Sequence, residues 1–287
     1  MSGQLRNLKS RIRSVENTKK ITRAMEMVAA AKLRRFQDMM VKARPFTEGL
    51  ENLLKRLAMA KLTRMHPYME ARDEKKRALL LITSDAGLCG SYNNDLIELA
   101  RGFLREHKVE TMIGVGKSGM TALKRRGFSC QYFFSDLRAS RVEQVLSELR
   151  GTLEKIYLSK EVDSVYVVYS HFRTITSYQP VIEKLLPLEK PAAANAPEQE
   201  VRYIFEPSPE ILFQKLVPLF FEAKVRTLFL ESIVSEQIAR MRSMHQATQN
   251  AKEMIDSLVL LRNKARQAAI TKEIIEIVSG SRALKLK

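Results

Sequence analysis

The sequence has no tryptophan, only two cysteines and no long apolar run. Cys89 and Cys130 are too few for a disulfide framework, and such sparse thiols are typical of a reducing compartment. No apolar run reaches the about 18 residues that a membrane-spanning helix needs, so we expect none. The N-terminus is basic and amphipathic but lacks an apolar signal core. Because its helical pattern continues past Glu16, we expect a mature helix rather than a presequence.

The patterns that usually carry catalysis or metal binding are also missing. No Ser/His/Asp neighbourhood and no carboxylate pair stands out, although a catalytic triad can assemble from distant residues. Asp85, directly after the first predicted strand, is the best isolated catalytic candidate. A glycine-bearing turn in which Asn93 caps the next helix explains the same residues without chemistry. We expect no metal site, because metal-ligand spacing is absent among the cysteines and the four histidines, His66, His107, His171 and His245.

The net charge of +17 is unevenly distributed along the chain. Residues 1–76 contain 19 Lys and Arg against 8 Asp and Glu, and residues 207–287 contain 13 against 8. Residues 77–206 are almost neutral, with 17 against 16. A basic surface of this kind attracts nucleic acid, an anionic membrane or acidic protein loops, and charge alone does not choose among them.

The last quarter of the chain, residues 231–284, has the pattern of a long helix. It contains no proline, and its only glycine is Gly280. Apolar or small residues recur at steps that are mostly three and four, which predicts a helix that packs against another helix. The predicted contact positions are Val234, Ile238, Met241, Thr248, Ala251, Ile255, Leu258, Leu261, Ala265 and Ala268. His245 also lies on this seam, where a partly buried polar residue that sets the register is a simpler explanation than a ligand.

Residues 5–57 carry a second helical stripe, so each stripe can cover the other. We therefore predict a long antiparallel coiled coil of the N- and C-terminal helices. Pro45 predicts a kink or break near Arg44. The predicted contact positions of the N-terminal helix are Leu5, Leu8, Ile12, Val15, Ile21, Met25, Val28, Leu33, Phe36, Met40, Ala43, Leu50, Leu54 and Leu57.

Between the two helices the pattern changes to short apolar runs that alternate with helical stretches. This alternation predicts a Rossmann-like α/β domain with a mostly parallel sheet. The predicted strands are 78–83, 111–115, 130–134, 165–169 and 201–205, and the predicted helices are 94–105, 118–126 and 141–157. Residues 187–200, rich in proline and alanine, predict an exposed loop. The predicted domains are 1–76 (helix and linker), 77–206 (inserted α/β domain) and 207–287 (C-terminal helix).

One glycine-rich turn has the form of a dinucleotide-binding motif. Gly114, Gly116 and Gly119 match G-x-G-x-x-G between a strand and a helix, and Asp136 stands near where a ribose-binding acid is expected. The match follows the second strand rather than the first, and a tight structural turn is the competing explanation. A P-loop would need glycine at Thr111, so that interpretation fails.

Three stretches together resemble one family, the gamma subunit of F-type ATP synthases. They are residues 18–22 and 25–35 (TKKIT and MEMVAAAKLRR), 84–93 (SDAGLCGSYN), and 266–273 with 276–280 (RQAAITKE and EIVSG). The resemblance spans the whole chain in matching order. Ala86 and Ser91 depart from the family pattern, which usually has arginine and a second glycine there.

The resemblance implies that the chain is part of a rotary motor. The terminal helices would form the axle of the central stalk inside the ring of alpha and beta subunits. The α/β domain would contact the epsilon subunit and the c-ring of the membrane sector. Ion flow, of hydrogen ions or sodium, would drive rotation and thereby ATP synthesis. The chain itself would be a non-catalytic subunit with no cofactor and no small-molecule substrate. It would be peripheral to the cytoplasmic face of a bacterial inner membrane.

By the same match, the expected contacts with the beta subunits are Met25, Arg240, Gln267 and Thr271. Ordinary coiled-coil packing is the alternative role of Met25, because methionine often fills gaps in helix interfaces. The alternative to the rotor is a basic coiled-coil protein that binds nucleic acid. The basic helices contain few aromatic residues and no RNA- or DNA-binding signature, which favours the rotor.

Overall fold

The computed structural model describes residues 2–58, 65–174, 177–189 and 205–285. Within them, two very long helices bracket a five-stranded sheet along the chain, so the predicted mixed α/β class with long terminal helices is confirmed. The elements in chain order are α1 (Ser2–Ala58), a 3₁₀ helix (Pro67–Met69), β1 (Arg77–Ile82), α2 (Tyr92–Glu106), β2 (Val109–Val115), α3 (Lys117–Lys124), β3 (Tyr132–Phe134), α4 (Val142–Leu158), β4 (Ser164–Thr174), β5 (Ser177–Leu186) and α5 (Pro209–Lys285).

The chain divides into two compact units. Unit 1 consists of Met1–Ala29 and Met241–Lys287, and unit 2 of Ala30–Arg240. Both terminal helices therefore contribute to both units. The domain boundaries at 76/77 and 206/207, which rest on composition, stay a prediction.

The sheet in unit 2 has the strand order β3-β2-β1-β4-β5. The first four strands are parallel, and β5 pairs antiparallel with β4. Alternate residues of β1 point to opposite faces, and Leu79 and Leu81 pack with Tyr92 and Leu96 of α2. The chain thus builds outward from β1 through β2 to β3 and then returns to the other side of β1 as β4.

Strand β5 was not predicted. Its residues alternate only weakly between polar and apolar, and Pro180 interrupts the pattern. Because β5 is an edge strand, a proline is tolerated there, and Pro180 lies opposite Ser170 in the ladder. The strand predicted at 201–205 falls almost wholly outside the described residues, as does most of the loop predicted at 187–200.

The contact stripe of α1 is more regular than predicted, and part of it is polar. The positions from Leu5 to Leu57 that alternate in steps of three and four are all buried or half-buried, a heptad pattern, and further half-buried residues such as Met25 flank them. Ile21 and Val28, predicted to lie on this stripe, are 60% and 55% exposed. The prediction placed these two residues on the stripe because they are apolar, although their positions do not fit its steps of three and four. The observed stripe is Leu5, Leu8, Ile12, Val15, Lys19, Thr22, Glu26, Ala29, Leu33, Phe36, Met40, Ala43, Thr47, Leu50, Leu54 and Leu57.

The predicted break at Pro45 is wrong, because α1 continues through it without interruption. Proline removes one backbone donor and its ring crowds the preceding turn. In this helix, Met40 and Leu50 are buried on either side of Pro45. Packing of the stripe against other parts of the chain therefore keeps the helix continuous, although proline has a low propensity for the interior of a helix.

Helix α5 is 77 residues long and begins well before the apolar pattern that predicted it. The Ser208 hydroxyl accepts the backbone N–H of Ile211, and Pro209 occupies the first helical position. Both are favoured at a helix start. Pro218, like Pro45, lies inside the helix without ending it.

Candidate functional site

The crevice beyond the carboxyl end of the parallel strands is the first place to search for a ligand. In sheets of this type, ligands bind where the strand order reverses, which is between β1 and β4 in this chain. The nearby residues are Thr83 and Ser84 after β1, and Ser170 and His171 within β4.

A segment of α5 occupies this crevice. Every residue from 231 to 239 is buried, although the segment contains two glutamates, two serines and a glutamine. Tyr92 Oη lies 2.9 Å from Ser232 Oγ, and Ser235 Oγ donates to the Ser170 carbonyl at 3.3 Å. We call residues 231–240 the crevice segment. It takes the place where a ligand would bind in a related sheet.

Glu231 joins three elements of unit 2. Its side chain is 6% exposed, and Oε2 lies 2.7 Å from His171 Nδ1 on β4. Its other oxygen lies 3.5 Å from an Arg44 guanidinium nitrogen on α1. His171 therefore has an internal structural partner, and Glu231 ties the crevice segment to both the sheet and α1.

Arg240 ends the crevice segment and holds the loop that follows β1. Its guanidinium pairs with Glu236 and donates to the carbonyl of Ala86 at 2.8 Å. A weaker contact reaches Gly87 O at 3.4 Å. Burial raises the pKa of Glu236, and the Arg240 charge opposes that rise. The arginine side chain is only 11% exposed, so in this state it acts as an internal clamp.

The glycine motif is explained by close packing. A Cβ on Gly116 would lie 2.1 Å from the Thr83 carbonyl oxygen, and the φ of +85° also favours glycine. A Cβ on Gly119 would lie 2.6 Å from the Thr83 side chain, and one on Gly114 would meet the Met120 sulfur at 2.1 Å. These glycines let α3 and its turn pack against β1.

The first amides of α3 are already bonded within the protein. Lys117 N–H donates to Asp85 Oδ1 at 3.3 Å, Ser118 N–H to Ser84 O at 3.0 Å, and Gly119 N–H to Thr83 Oγ1 at 3.0 Å. A dinucleotide phosphate needs these donors free. The dinucleotide interpretation is therefore wrong, and the turn is a structural one.

Asp85 also has a structural role. Its second oxygen accepts the Leu137 N–H at 2.8 Å, so one carboxylate joins the loops after β1, β2 and β3. Asn93 does not cap α2, whose cap position is Ser91. The amide oxygen of Asn93 instead accepts the Ser84 N–H at 3.1 Å. Asp136 is paired with Arg138 and Arg141, and hydrogen bonds from Arg138 lower its pKa to about 2.

Within the described ranges, no cluster of three or more His, Cys, Asp or Glu side chains is arranged to hold a metal ion. Cys89 is buried and Cys130 is half-buried, and burial raises the pKa of both thiols. Raised values disfavour the reactive thiolate form. Of the helices that the structure describes, none is long and apolar enough to cross a bilayer.

In unit 1 the two helices pack antiparallel. Thr22 and Thr248 hydroxyl oxygens lie 2.8 Å apart, and Glu26 Oε1 lies 3.1 Å from His245 Nδ1. Residue numbers therefore rise along α1 as those of the residues that it contacts fall along α5. Leu261 and Ala268 are exposed rather than on the contact stripe. The observed stripe of α5 in this unit, again with steps of three and four, is Met241, Met244, Thr248, Ala251, Ile255, Leu258, Arg262, Ala265 and Ala269.

The four predicted contact residues lie in different environments. Met25 is half-buried on α1, and Arg240 is the clamp described above. Gln267 and Thr271 are exposed and one turn apart on α5, so they share a helix face. The structure brings Gln267 and Thr271 together but neither of them with Met25.

Comparison with known proteins decides the family. A protein-family model described as ATP synthase matches residues 4–284. The ATP synthase gamma chain of Desulforamulus reducens is 42% identical over 281 residues, covering 98% of this chain and 99% of the relative. That of Moorella thermoacetica is also 42% identical, over 282 residues, with the same coverage.

The chain belongs to the ATP synthase gamma chain family. A gamma chain is a non-catalytic subunit, and the enzyme is the complex. The fold agrees with that of a solved structure: a chain of the Euglena gracilis mitochondrial ATP synthase (OSCP/F1/c-ring, rotational state 3) superposes with a TM-score of 0.70. That match is 18% identical and covers 99% of this chain and 95% of the other.

Glu231 and Glu236, the buried acidic residues of the crevice segment in this gamma chain, were not predicted from the sequence. A signal was present, because residues 231–237 (ESIVSEQ) place five polar residues in seven directly after the apolar residues 228–230. Since polar groups are buried only when they are bonded, such a run predicts a polar network.

Proposed function

We propose that this chain is the rotor subunit of the central stalk in an ATP synthase. One observation carries the proposal: the C-terminal part of α5 is both apolar and exposed. Ile274, Ile275, Ile277 and Val278 are 55%, 58%, 71% and 50% exposed. Soluble monomers rarely expose contiguous apolar surface of this kind, so a partner is expected to cover it.

The exposed apolar surface at this end suits partner subunits that surround the helix better than it suits a single partner helix. At 3.6 residues per turn, Ile270 to Val278 place their apolar side chains over an arc of about 160°. Thr271 lies within that arc, and Gln267 lies one turn before it. We infer that both contact the surrounding beta subunits, as the family resemblance implies.

Arg240 and Met25 are proposed as contacts at other points of the chain. For Arg240 to reach an acidic loop of a beta subunit, its guanidinium would exchange the Glu236 carboxylate for a partner carboxylate. Such an exchange keeps one charge-assisted pair for the arginine, which forms such pairs with good geometry. It leaves the buried Glu236 without its partner, and burial would then favour the protonated form of that carboxyl group. Met25 is half-buried, so part of its side chain is available to a partner.

The coupling mechanism follows from contacts that differ between states. A turning helix presents different faces to each beta subunit, and a ligand shifts an equilibrium only by its differential affinity for the two states. We propose that ion flow through the c-ring turns this chain, with epsilon attached. Attachment to the c-ring would hold the complex at the cytoplasmic face of the bacterial inner membrane, and this chain would be peripheral to that membrane.

The test is co-expression of the chain with alpha, beta and epsilon chains, followed by purification through a tag on beta. We expect co-purification and no ATP hydrolysis by the isolated chain. Ile274→Asp with Ile277→Asp should reduce complex activity strongly, because two charges would enter an apolar contact. The control is Ile211→Asp, which changes a comparably exposed isoleucine, 46% exposed, near the other end of α5.

Turnover of ATP by the isolated chain, or failure to assemble, would contradict the rotor. Tight binding of DNA or RNA that weakens steeply with salt, together with failure to assemble, would support the nucleic-acid alternative.

A further inference from the structure

A cavity of about 730 Å³ opens beside the edge strand β3 in unit 2. Helix α3 is only 8 residues long and leaves part of the sheet face uncovered. Phe133 of β3 lines the cavity and is 47% exposed. The crevice segment takes no part in it, so this is a separate site.

The turn that ends α3 shapes one wall. Phe128 N–H donates to Leu123 O at 3.2 Å and Gly127 N–H to Lys124 O at 3.1 Å, while Gly127 has a φ of +85°. This is a Schellman motif, which brings the residue after the glycine against the last helical turn. Phe128 and Leu123 accordingly both line the cavity.

The floor is apolar and deformable. Met112 and Met120 line it together with Leu123. Methionine adapts its shape to irregular apolar partners because its side chain is unbranched and flexible. Gly114 has no Cβ, and this leaves the space that the Met120 sulfur occupies.

The rim is cationic. Lys117 and Lys124 both line the cavity and are seven residues apart on α3, so they project from the same helix face. Their side chains are exposed, and no ion pair joins either to another described residue. Of the described residues that line the cavity, none carries a carboxylate.

We propose that this cavity binds a small amphipathic anion, a single apolar chain that ends in a carboxylate. The apolar floor would take the chain and the two lysines the head group. The volume lies in the range of small-molecule sites, roughly 300–1,000 Å³. The proposal does not depend on the rotor assignment.

Cys130 supplies a reporter, because it lines the cavity and is half-buried, whereas Cys89 is buried. The experiment measures alkylation of Cys130 in the full chain by a maleimide, located by peptide mass spectrometry. Laurate, below its micelle concentration, should slow alkylation saturably, by about tenfold or more, equivalent to about 1.4 kcal/mol. Dodecyltrimethylammonium, with the same chain and the opposite charge, should protect far less.

Variants separate the site from general detergent binding. Lys117→Glu with Lys124→Glu should weaken laurate protection by about tenfold. Lys155→Glu, an exposed lysine on α4, should leave it unchanged. Equal protection by both amphiphiles, or no laurate binding by calorimetry on the folded wild-type chain, would overturn the proposal.

Discussion

Two segments of helix α5 contrast in composition and burial. The crevice segment contains Glu231, Ser232, Ser235, Glu236 and Gln237, and all five are buried. The segment from Ile270 to Val278 contains four isoleucines and a valine, and all five are about half exposed or more. Polarity alone therefore predicts the wrong environment for both. Bonded partners explain the first segment, apart from the Gln237 amide oxygen, which has no hydrogen-bond partner among the described residues. An expected partner protein explains the second.

The largest expected effect is the loss of Arg240. Arg240→Ala would leave the buried Glu236 carboxylate without its partner, and we expect the free energy of unfolding to fall by about 3–5 kcal/mol. The measurement is urea denaturation of the isolated chain. The double variant Glu236→Gln with Arg240→Met should recover a large part of the loss. A cost below about 1 kcal/mol for the single variant would mean that the clamp does not stabilise the fold.

A matched pair of isoleucines tests the contrast directly. Ile238 is 0% exposed and Ile277 is 71% exposed on the same helix. Ile238→Ala should destabilise the isolated chain by about 2–5 kcal/mol, because it leaves a cavity. Ile277→Ala should change stability by no more than about 0.5 kcal/mol. Equal costs measured in urea would show that the end of α5 is buried in the free chain.

The packing of the glycine turn against β1 gives a third test. Gly116→Ala places a methyl group against the Thr83 carbonyl at a positive φ, and we expect a loss of about 1–3 kcal/mol. Gly151→Ala, in the helix α4 where a Cβ meets nothing within 4 Å, is the control and should be neutral or stabilising. A tolerated Gly116→Ala, judged by thermal unfolding, would contradict the close-packing explanation.

The smallest effect concerns Glu26 in unit 1. Burial raises its pKa, but hydrogen bonds from His245 and Arg23 outweigh burial, and the pKa lies below its ordinary value. The carboxylate therefore contributes stability above its unfolded pKa, and the contribution is lost as pH falls through the folded pKa. Glu26→Gln should cost about 0.2–1 kcal/mol at pH 7 and nothing in strong acid.

The check is urea denaturation of Glu26→Gln across pH, beside Glu253→Gln, an exposed carboxylate on α5. A pH-independent difference, or the same pH dependence in Glu253→Gln, would argue against a role for the Glu26 pair.

The sequence predicted the long helices, the parallel strands and the family, because heptad spacing and short apolar runs are local signals. It did not predict β5, whose pairing depends on β4 across the hairpin. It placed Ile21 and Val28 on the stripe because apolar residues were followed, whereas Thr22 and Glu26 are satisfied by Thr248 and His245 across the interface. The bonds that join Asp85 to the Leu137 N–H and Arg240 to the Ala86 carbonyl were not predictable either, because these partners come from distant parts of the chain. The pair of Arg240 with Glu236, by contrast, joins residues one helical turn apart.

The central claim is that the end of α5 is a surface for partner subunits while the crevice segment is an internal one. Amide hydrogen exchange, measured on the isolated chain and on the chain assembled with alpha and beta subunits, tests it most directly. We predict slow exchange for residues 231–239 in both states, and fast exchange for residues 267–280 that becomes slow on assembly. Unchanged exchange of residues 267–280 on assembly would contradict the account.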